Sequence, residues 1–307
     1  MIRGDGVRRI IDGGVPLLPA SVARLLPESL LTEIPLRARG AVNELHLRAD
    51  SNAWLTCGKE NVSLATVFSR RQIEDVFLAV CGGSLYAHAD TVREGFVSLG
   101  DGVRVGIAGR AVREGERTVG IRDVSALCFR IPTNAWVDPA PLLALLERFS
   151  YVRGLLLFSP PGGGKTTALR SLVRALGSGE HPRRVAVVDT RCELAPFLSS
   201  RGLCVDILSG YPRREGIEIA VRSMGAQVVV CDEICGADDA KTILELQGGG
   251  VPLIATAHAA DRERLLSRAD LALLHRAGTF GAYVDVNWRR ETVFHMTLWD
   301  KIEEAVP

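Results

Sequence analysis

Apolar and polar positions change rhythm once along this chain. Residues 20–31 (ASVARLLPESLL) carry helical spacing interrupted at Pro27. Val42, Leu45 and Leu47, then residues 52–55 and 62–64, follow short-strand spacing, with turn residues at 50–52 and 58–61. Residues 70–81 place Ile73, Val76, Phe77 and Val80 on one face, which predicts an amphipathic helix stopped by Gly82 and Gly83. From 92 to 131 the runs 96–99, 103–108, 110–112, 119–121 and 126–131 predict a β-meander. Its separators are residues 100–102, Gly109, and Glu114 with Gly115. Prolines in the first turn open a predicted helix over 139–149.

After residue 150 strands and helices alternate. Residues 154–159 form a continuous apolar run of buried-strand type, and a helix follows at 165–176. Strands are predicted at 184–189, 204–208, 228–232 and 253–257, with helices at 216–224 and 237–247. Residues 282–288 and 292–299, on either side of 289–291, predict a terminal hairpin. Such βα alternation predicts an α/β domain, a parallel-rich sheet with helices on both faces. The rhythm changes where Pro132, Thr133, Asn134, Pro139 and Pro141 cluster. We therefore expect a smaller α+β domain over 1–135 and the α/β domain over 136–307.

Composition narrows the picture. At 307 residues the length suits two domains, and 47% apolar with 24% charged residues is that of a globular protein. A net charge of +1 argues against bulk electrostatic capture of nucleic acid or anionic lipid. Residues 1–9 carry charge without a following apolar segment of signal-peptide length, and no window approaches ~18 apolar residues, so neither a leader nor a membrane span is expected. Seven scattered cysteines fit a reduced, cytosolic setting. Cys231 and Cys235 lie close, but no second pair with zinc-ligand spacing follows. Lysines are only four, at 59, 165, 241 and 301, which draws attention to any that stands in a phosphate-binding context.

One does. Between the predicted strand and helix stands Ser159-Pro160-Pro161-Gly162-Gly163-Gly164-Lys165-Thr166-Thr167. It matches the phosphate-loop pattern G-x-x-x-x-G-K-[ST] except that Ser159 occupies the first glycine position. Consecutive glycines let backbone N–H groups turn inward around a phosphate, and the following helix end adds positive potential. Lys165 would reach the β- and γ-phosphates of ATP, and Thr166 would place a hydroxyl on Mg²⁺. A second site is Gln227-Val228-Val229-Val230-Cys231-Asp232-Glu233, an apolar strand ending in two carboxylates. Asp232 would hold Mg²⁺ and Glu233 would polarise the attacking water. Asp189, followed by Thr190-Arg191-Cys192-Glu193, and His258 end two further strands at the same expected edge. Glu193 and His258 are candidates for sensing the γ-phosphate or positioning its neighbours. A capping role for Asp189 is the alternative.

These residues resemble the stage III sporulation protein AA family, secretion-type ATPases of the wider RecA/AAA+ class. The resemblance runs over nearly the whole chain. It rests on Glu44-Leu45-His46-Leu47-Arg48, Cys81-Gly82-Gly83-Ser84-Leu85-Tyr86-Ala87, Arg93-Glu94-Gly95-Phe96 and Gly102-Val103-Arg104-Val105-Gly106-Ile107-Ala108-Gly109. Beyond these lie the phosphate loop, Asp189-Thr190-Arg191-Cys192-Glu193-Leu194, Val230-Cys231-Asp232-Glu233-Ile234 and Ala255-Thr256-Ala257-His258-Ala259. The resemblance implies a RecA-like P-loop ATPase domain behind a smaller N-terminal domain, in subunits forming a hexameric ring. Residues 189–193 look like the aspartate box of related motors, with Thr190 where the family usually has an acid, and His258 looks like their histidine box. It also implies work at the cytosolic face of a channel from mother cell to forespore, with membrane proteins of the same sporulation complex as partners.

Arginines crowd residues 93–130. Most suit a solvated, salt-bridged β surface; Arg104 and Arg110, flanking a glycine-rich strand, are the preferred candidates for an arginine finger across a subunit seam. Arg213, Arg214 and Arg222 are an alternative source. A nucleic-acid-stimulated RecA-type ATPase is the competing reading, but no aromatic residues interleave these arginines and no nucleic-acid partner is expected.

Overall fold

The structure is a computed structural model that describes residues 17–99, 101–132, 135–198, 202–246, 250–287 and 293–302. The expectations about residues 1–9, Gln247 and the hairpin turn at 289–291 lie outside the described residues. The chain divides into two compact units between Asn134 and Ala135.

In the first unit the described strands form a six-stranded sheet: β1 (Val42–Arg48), β2 (Ser51–Cys57), β3 (Glu60–Phe68), β4 (Phe96–Ser98), β5 (Arg104–Glu114) and β6 (Arg117–Arg130), in the order β3-β2-β1-β6-β5-β4. Every pairing is antiparallel. One face carries Leu45, Leu47, Leu55, Leu127 and Phe129, all buried, beneath helices α1 (Ala20–Ala23), α2 (Glu28–Arg37), α3 (Arg70–Val80) and α4 (Ala89–Arg93). Helix α3 buries the four apolar residues its spacing selected. It starts at a capping box: the Gln72 N–H donates to Ser69 Oγ at 3.3 Å, and the Ser69 N–H donates to Gln72 Oε1 at 2.8 Å.

Gly109 corrects one expectation. It does not end a strand, because β5 runs through it to Glu114. The register shifts between Ala108 and Arg110, and Asp123 on β6 takes φ 53° beside it. A Cβ on Gly109 would lie 2.8 Å from both Arg122 O and Ile121 Cγ2. The glycine is thus required by a β-bulge where two strands approach closely, which reads in sequence as a break.

In the second unit the described strands form a seven-stranded sheet of β7 (Gly154–Ser159), β8 (Val185–Asp189), β9 (Val205–Ser209), β10 (Val228–Cys231), β11 (Leu253–His258), β12 (Phe280–Val286) and β13 (Phe294–Leu298), in the order β13-β12-β7-β11-β10-β8-β9. Only the β12–β13 pairing is antiparallel. Successive residues alternate faces. Leu155, Leu157, Val187 and Val230 pack under α5 (Ala140–Arg148), α6 (Lys165–Leu176) and α7 (Ala195–Leu198). Leu156, Phe158, Val188 and Val229 pack under α8 (Arg213–Arg222), α9 (Ala237–Leu246), α10 (Arg262–Leu266) and α11 (Ala269–Arg276). The three short or C-terminal helices α7, α10 and α11 were not expected from periodicity; α7 and α10 span four and five residues, too few to show one. Because β7, β11, β10 and β8 are parallel neighbours, their C-terminal ends fall side by side on one edge, where loops gather functional side chains. Among the described residues no helix is long and apolar enough to cross a membrane.

Candidate functional site

The loop from Ser159 to Gly164 leaves β7 and enters α6 with Lys165, Thr166 and Thr167 in its first turn. Gly162 and Gly164 take φ 73° and 97°, a region glycine enters without steric cost. A Cβ on Gly163 would collide with the Ser159 side chain. Pro160 and Pro161 complete the turn, and Ser159, fully buried, donates its hydroxyl to Pro160 O at 3.0 Å. A small residue with a self-satisfied hydroxyl therefore replaces the usual first glycine without disturbing the loop. Gly164 at the N-cap has no side chain, so the first-turn N–H groups of α6 and its positive end are left to serve an anion.

Lys165 is buried and folded back into this loop. Its Nζ donates to Ser159 O at 2.9 Å and to His258 Nδ1 at 3.0 Å. Burial pulls its pKa down from the ordinary lysine value, opposed by the charges of Asp232 and Glu233. An ammonium only donates, so His258 Nδ1 is the acceptor in this contact, and its Nε2 faces Glu233 Oε1 at 3.6 Å. The loop, the histidine and the acidic pair thus form one contact chain.

The acidic pair follows β10. Thr256 on the neighbouring strand β11 organises it: its hydroxyl donates to Asp232 Oδ1 at 2.7 Å and accepts the Glu233 N–H at 2.8 Å. Burial, with the charges of Asp189 and Glu233, pushes the Asp232 pKa up; the Thr256 hydrogen bond and Arg191 offset part of this. Such a carboxylate gains from a nearby cation. Glu233 takes φ 50°, a left-handed conformation that costs a non-glycine residue about 1–2 kcal/mol. That turn aims its carboxylate at Arg191, whose Nη1 lies 2.6 Å from Glu233 Oε2.

The segment after β8 divides its labour. Asp189 is fully buried, and its carboxylate accepts N–H groups from Glu193 at 3.0 Å, Leu194 at 2.9 Å and Ala195 at 2.8 Å. It caps the turn into α7, the simpler of the roles open to it. Glu193 is half-buried in that turn, and its charge acts on Arg170. Arg213 donates Nη2 to Asp232 O at 3.2 Å, while its Nη1 pairs with Asp239 at 2.5 Å, so this half-buried arginine fastens the acidic loop of its own unit. In the first unit Arg104 lies over the Phe96 ring at 3.7 Å, and Arg110 approaches Asp123 at 3.8 Å.

Sequence reading missed Thr256 and the role of Arg191. The first had a visible signal, as the single hydroxyl inside the apolar run Leu253-Ile254-Ala255-Thr256-Ala257. The second had none, because its partner lies 42 residues away.

A phosphate loop, an acidic strand end and a parallel sheet with helices on both faces define a RecA-like P-loop ATPase fold. The same fold is seen in the X-ray structure of the Legionella pneumophila ATPase DotB, with TM-score 0.58, 14% identity, and coverage of 91% of this chain and 83% of that one. The pilus retraction motor PilT, solved with bound ADP, gives 0.60 and 14%, over 85% of this chain and 78% of its own. Residues 17–301 match the family model described as "Sporulation stage III, protein AA", and the chain belongs to that family. The stage III sporulation protein AA of Bacillus subtilis (strain 168) is 30% identical over 277 residues, which is 87% of this chain and 90% of that protein.

Proposed function

We propose that this protein binds ATP with Mg²⁺ and hydrolyses it to drive or assemble a channel complex during endospore formation. The observation that carries the reading is the contact chain Lys165–His258–Glu233, at 3.0 and 3.6 Å, on the edge that also holds Asp232. It gathers a phosphate-binding lysine, a cation-binding carboxylate and a water-activating carboxylate at one place.

The loop fits a triphosphate: its glycines adopt the open turn, and the adjoining helix end carries no side-chain cap. Lys165 would leave Ser159 O and His258 and extend to the β- and γ-phosphates. Thr166 and Asp232 would hold Mg²⁺, which when bound neutralises phosphate charge. Glu233, held on either side by Arg191 and His258, orients the attacking water and takes its proton. His258 then senses whether the lysine is engaged, and Glu193 sets the charge around Arg170.

The sporulation family and the motor ATPases of the same fold support a hexameric ring in the mother cell, at the cytosolic face of the membrane. Membrane proteins of the channel complex are the expected partners, with Arg104 or Arg110 reaching the nucleotide of a neighbouring subunit. Phosphate release by the full chain tests the enzyme activity. The wild type should turn over ATP with Mg²⁺ and Lys165→Ala should not; equal turnover by the two would refute the proposal.

A further inference from the structure

The outer face of the first unit's sheet, opposite its apolar core, carries a set of side chains that the ATPase reading does not use. Glu44 and His46 stand two residues apart on β1 and so share that face. Across the β1–β6 ladder Cys128 is directly opposite His46, and Arg130 is directly opposite Glu44. All three potential ligands, Glu44, His46 and Cys128, are half-buried, and their ligand atoms lie within 4.8 Å of one another. His46 Nε2 is 3.0 Å from Glu44 Oε2 and 3.8 Å from Cys128 Sγ.

We propose that Glu44, His46 and Cys128 form a site for a borderline-soft divalent cation of the Zn²⁺ class, with a fourth position open to solvent or to an exogenous ligand. The argument is first geometric. A tetrahedral zinc with ordinary bond lengths separates nitrogen and oxygen ligands by about 3.3 Å, and nitrogen and sulfur ligands by about 3.6 Å. The two edges at His46 Nε2 differ from these by only a few tenths of an ångström, and Glu44 and Cys128 bring their ligand atoms within 4.8 Å of each other.

The surroundings support the same assignment. Arg130 donates Nε to Glu44 Oε1 at 3.3 Å, which occupies one carboxylate oxygen and leaves Oε2 turned toward His46. Gly106 is the residue opposite Cys128 on β5, so no side chain flanks the sulfur there. Trp54 is opposite His46 on β2, on the other side of the cluster. Nitrogen, oxygen and thiolate together suit zinc, whereas calcium and magnesium take oxygen alone.

The proton balance is defined. In the metal-free protein Cys128 is a thiol; burial and the Glu44 charge raise its pKa to about 11. Binding breaks the S–H bond, forms the S–metal bond and releases that proton to the buffer. His46 would ligate through Nε2, with Nδ1 left as the protonated ring nitrogen.

The test is a titration of the full chain, stripped of metal with a chelator, using Co²⁺ and then Zn²⁺. The expected result is one thiolate-to-cobalt charge-transfer band that saturates at one Co²⁺ per chain and is bleached by Zn²⁺. Calorimetry in two buffers of different ionisation enthalpy should give about one proton released per Zn²⁺. Cys128→Ser should abolish the band, and His46→Ala should weaken Zn²⁺ binding by about 100-fold or more. Circular dichroism confirms that each variant is folded, and Glu44→Gln, which keeps shape and hydrogen bonding, serves if Cys128→Ser is not. Absence of the band at stoichiometric Co²⁺ would overturn the proposal. So would a band that persists in folded Cys128→Ser, or a Co²⁺ affinity unchanged in folded Glu44→Gln, since the metal would then be held elsewhere.

Discussion

Arg191 and Glu233, 42 residues apart in the chain, meet in an ion pair of 2.6 Å at the ends of β8 and β10. The arginine side chain is half-exposed while the glutamate is mostly covered, so the pair is reached from the open side of the site. It fixes the carboxylate of a residue whose backbone is already in a left-handed turn. On the proposed ATPase reading Arg191 is therefore a positioning residue. Arg191→Ala should lower kcat about 10-fold while leaving KM for ATP nearly unchanged, and Arg191→Lys should restore part of the loss. A rise in KM for ATP with kcat unchanged would instead mean that Arg191 binds nucleotide.

Thr256 serves two residues with one hydroxyl. Thr256→Val keeps the shape but leaves Asp232 without its donor and the Glu233 N–H without its acceptor. The variant should lose about 2–3 kcal/mol in urea denaturation and most of its ATP turnover. Thr256→Ser should recover both.

Gly109 was read as a break, and the bulge explains why. Gly109→Ala puts a methyl 2.8 Å from Arg122 O and Ile121 Cγ2. It should destabilise the first unit by about 1–3 kcal/mol, measured by denaturation, without altering nucleotide binding by the second.

The Cys128 thiol provides a pH signature. Its pKa is raised to about 11, so metal-free protein should react with iodoacetamide at Cys128 about 100-fold more slowly near neutral pH than an ordinary thiol of pKa 9.0. Mass spectrometry of the labelled peptide should show the rate rising through that range. The folded state binds this proton more tightly than the unfolded state. Its contribution to stability is therefore present below pH 9 and lost as pH rises toward 11.

The fold of the second unit was legible because the four neighbouring parallel strands β7, β8, β10 and β11 are mainly apolar runs, each closed or followed by a chemically distinct residue: Ser159, Asp189, Asp232 or His258. Helix α6 begins at Lys165 and ends at Leu176 as its periodicity predicts. The long β5–β6 ribbon was less legible. Its outer half is largely exposed, so the sequence marks only the short runs 110–112 and 119–121 and not the unbroken strands that carry them. The phosphate loop and acidic pair could be named from local motifs. Cross-strand relationships could not, since the Arg191–Glu233 pair and the alignment of Cys128 with His46 depend on sheet order and register.

The ATPase account rests most directly on Glu233. Nucleotide binding and phosphate release should be measured together for the wild type and Glu233→Gln, at saturating ATP and Mg²⁺. The account predicts that the variant binds ATP as the wild type does while its turnover falls about 100-fold or more. Wild-type turnover by a folded, ATP-binding Glu233→Gln protein would contradict it.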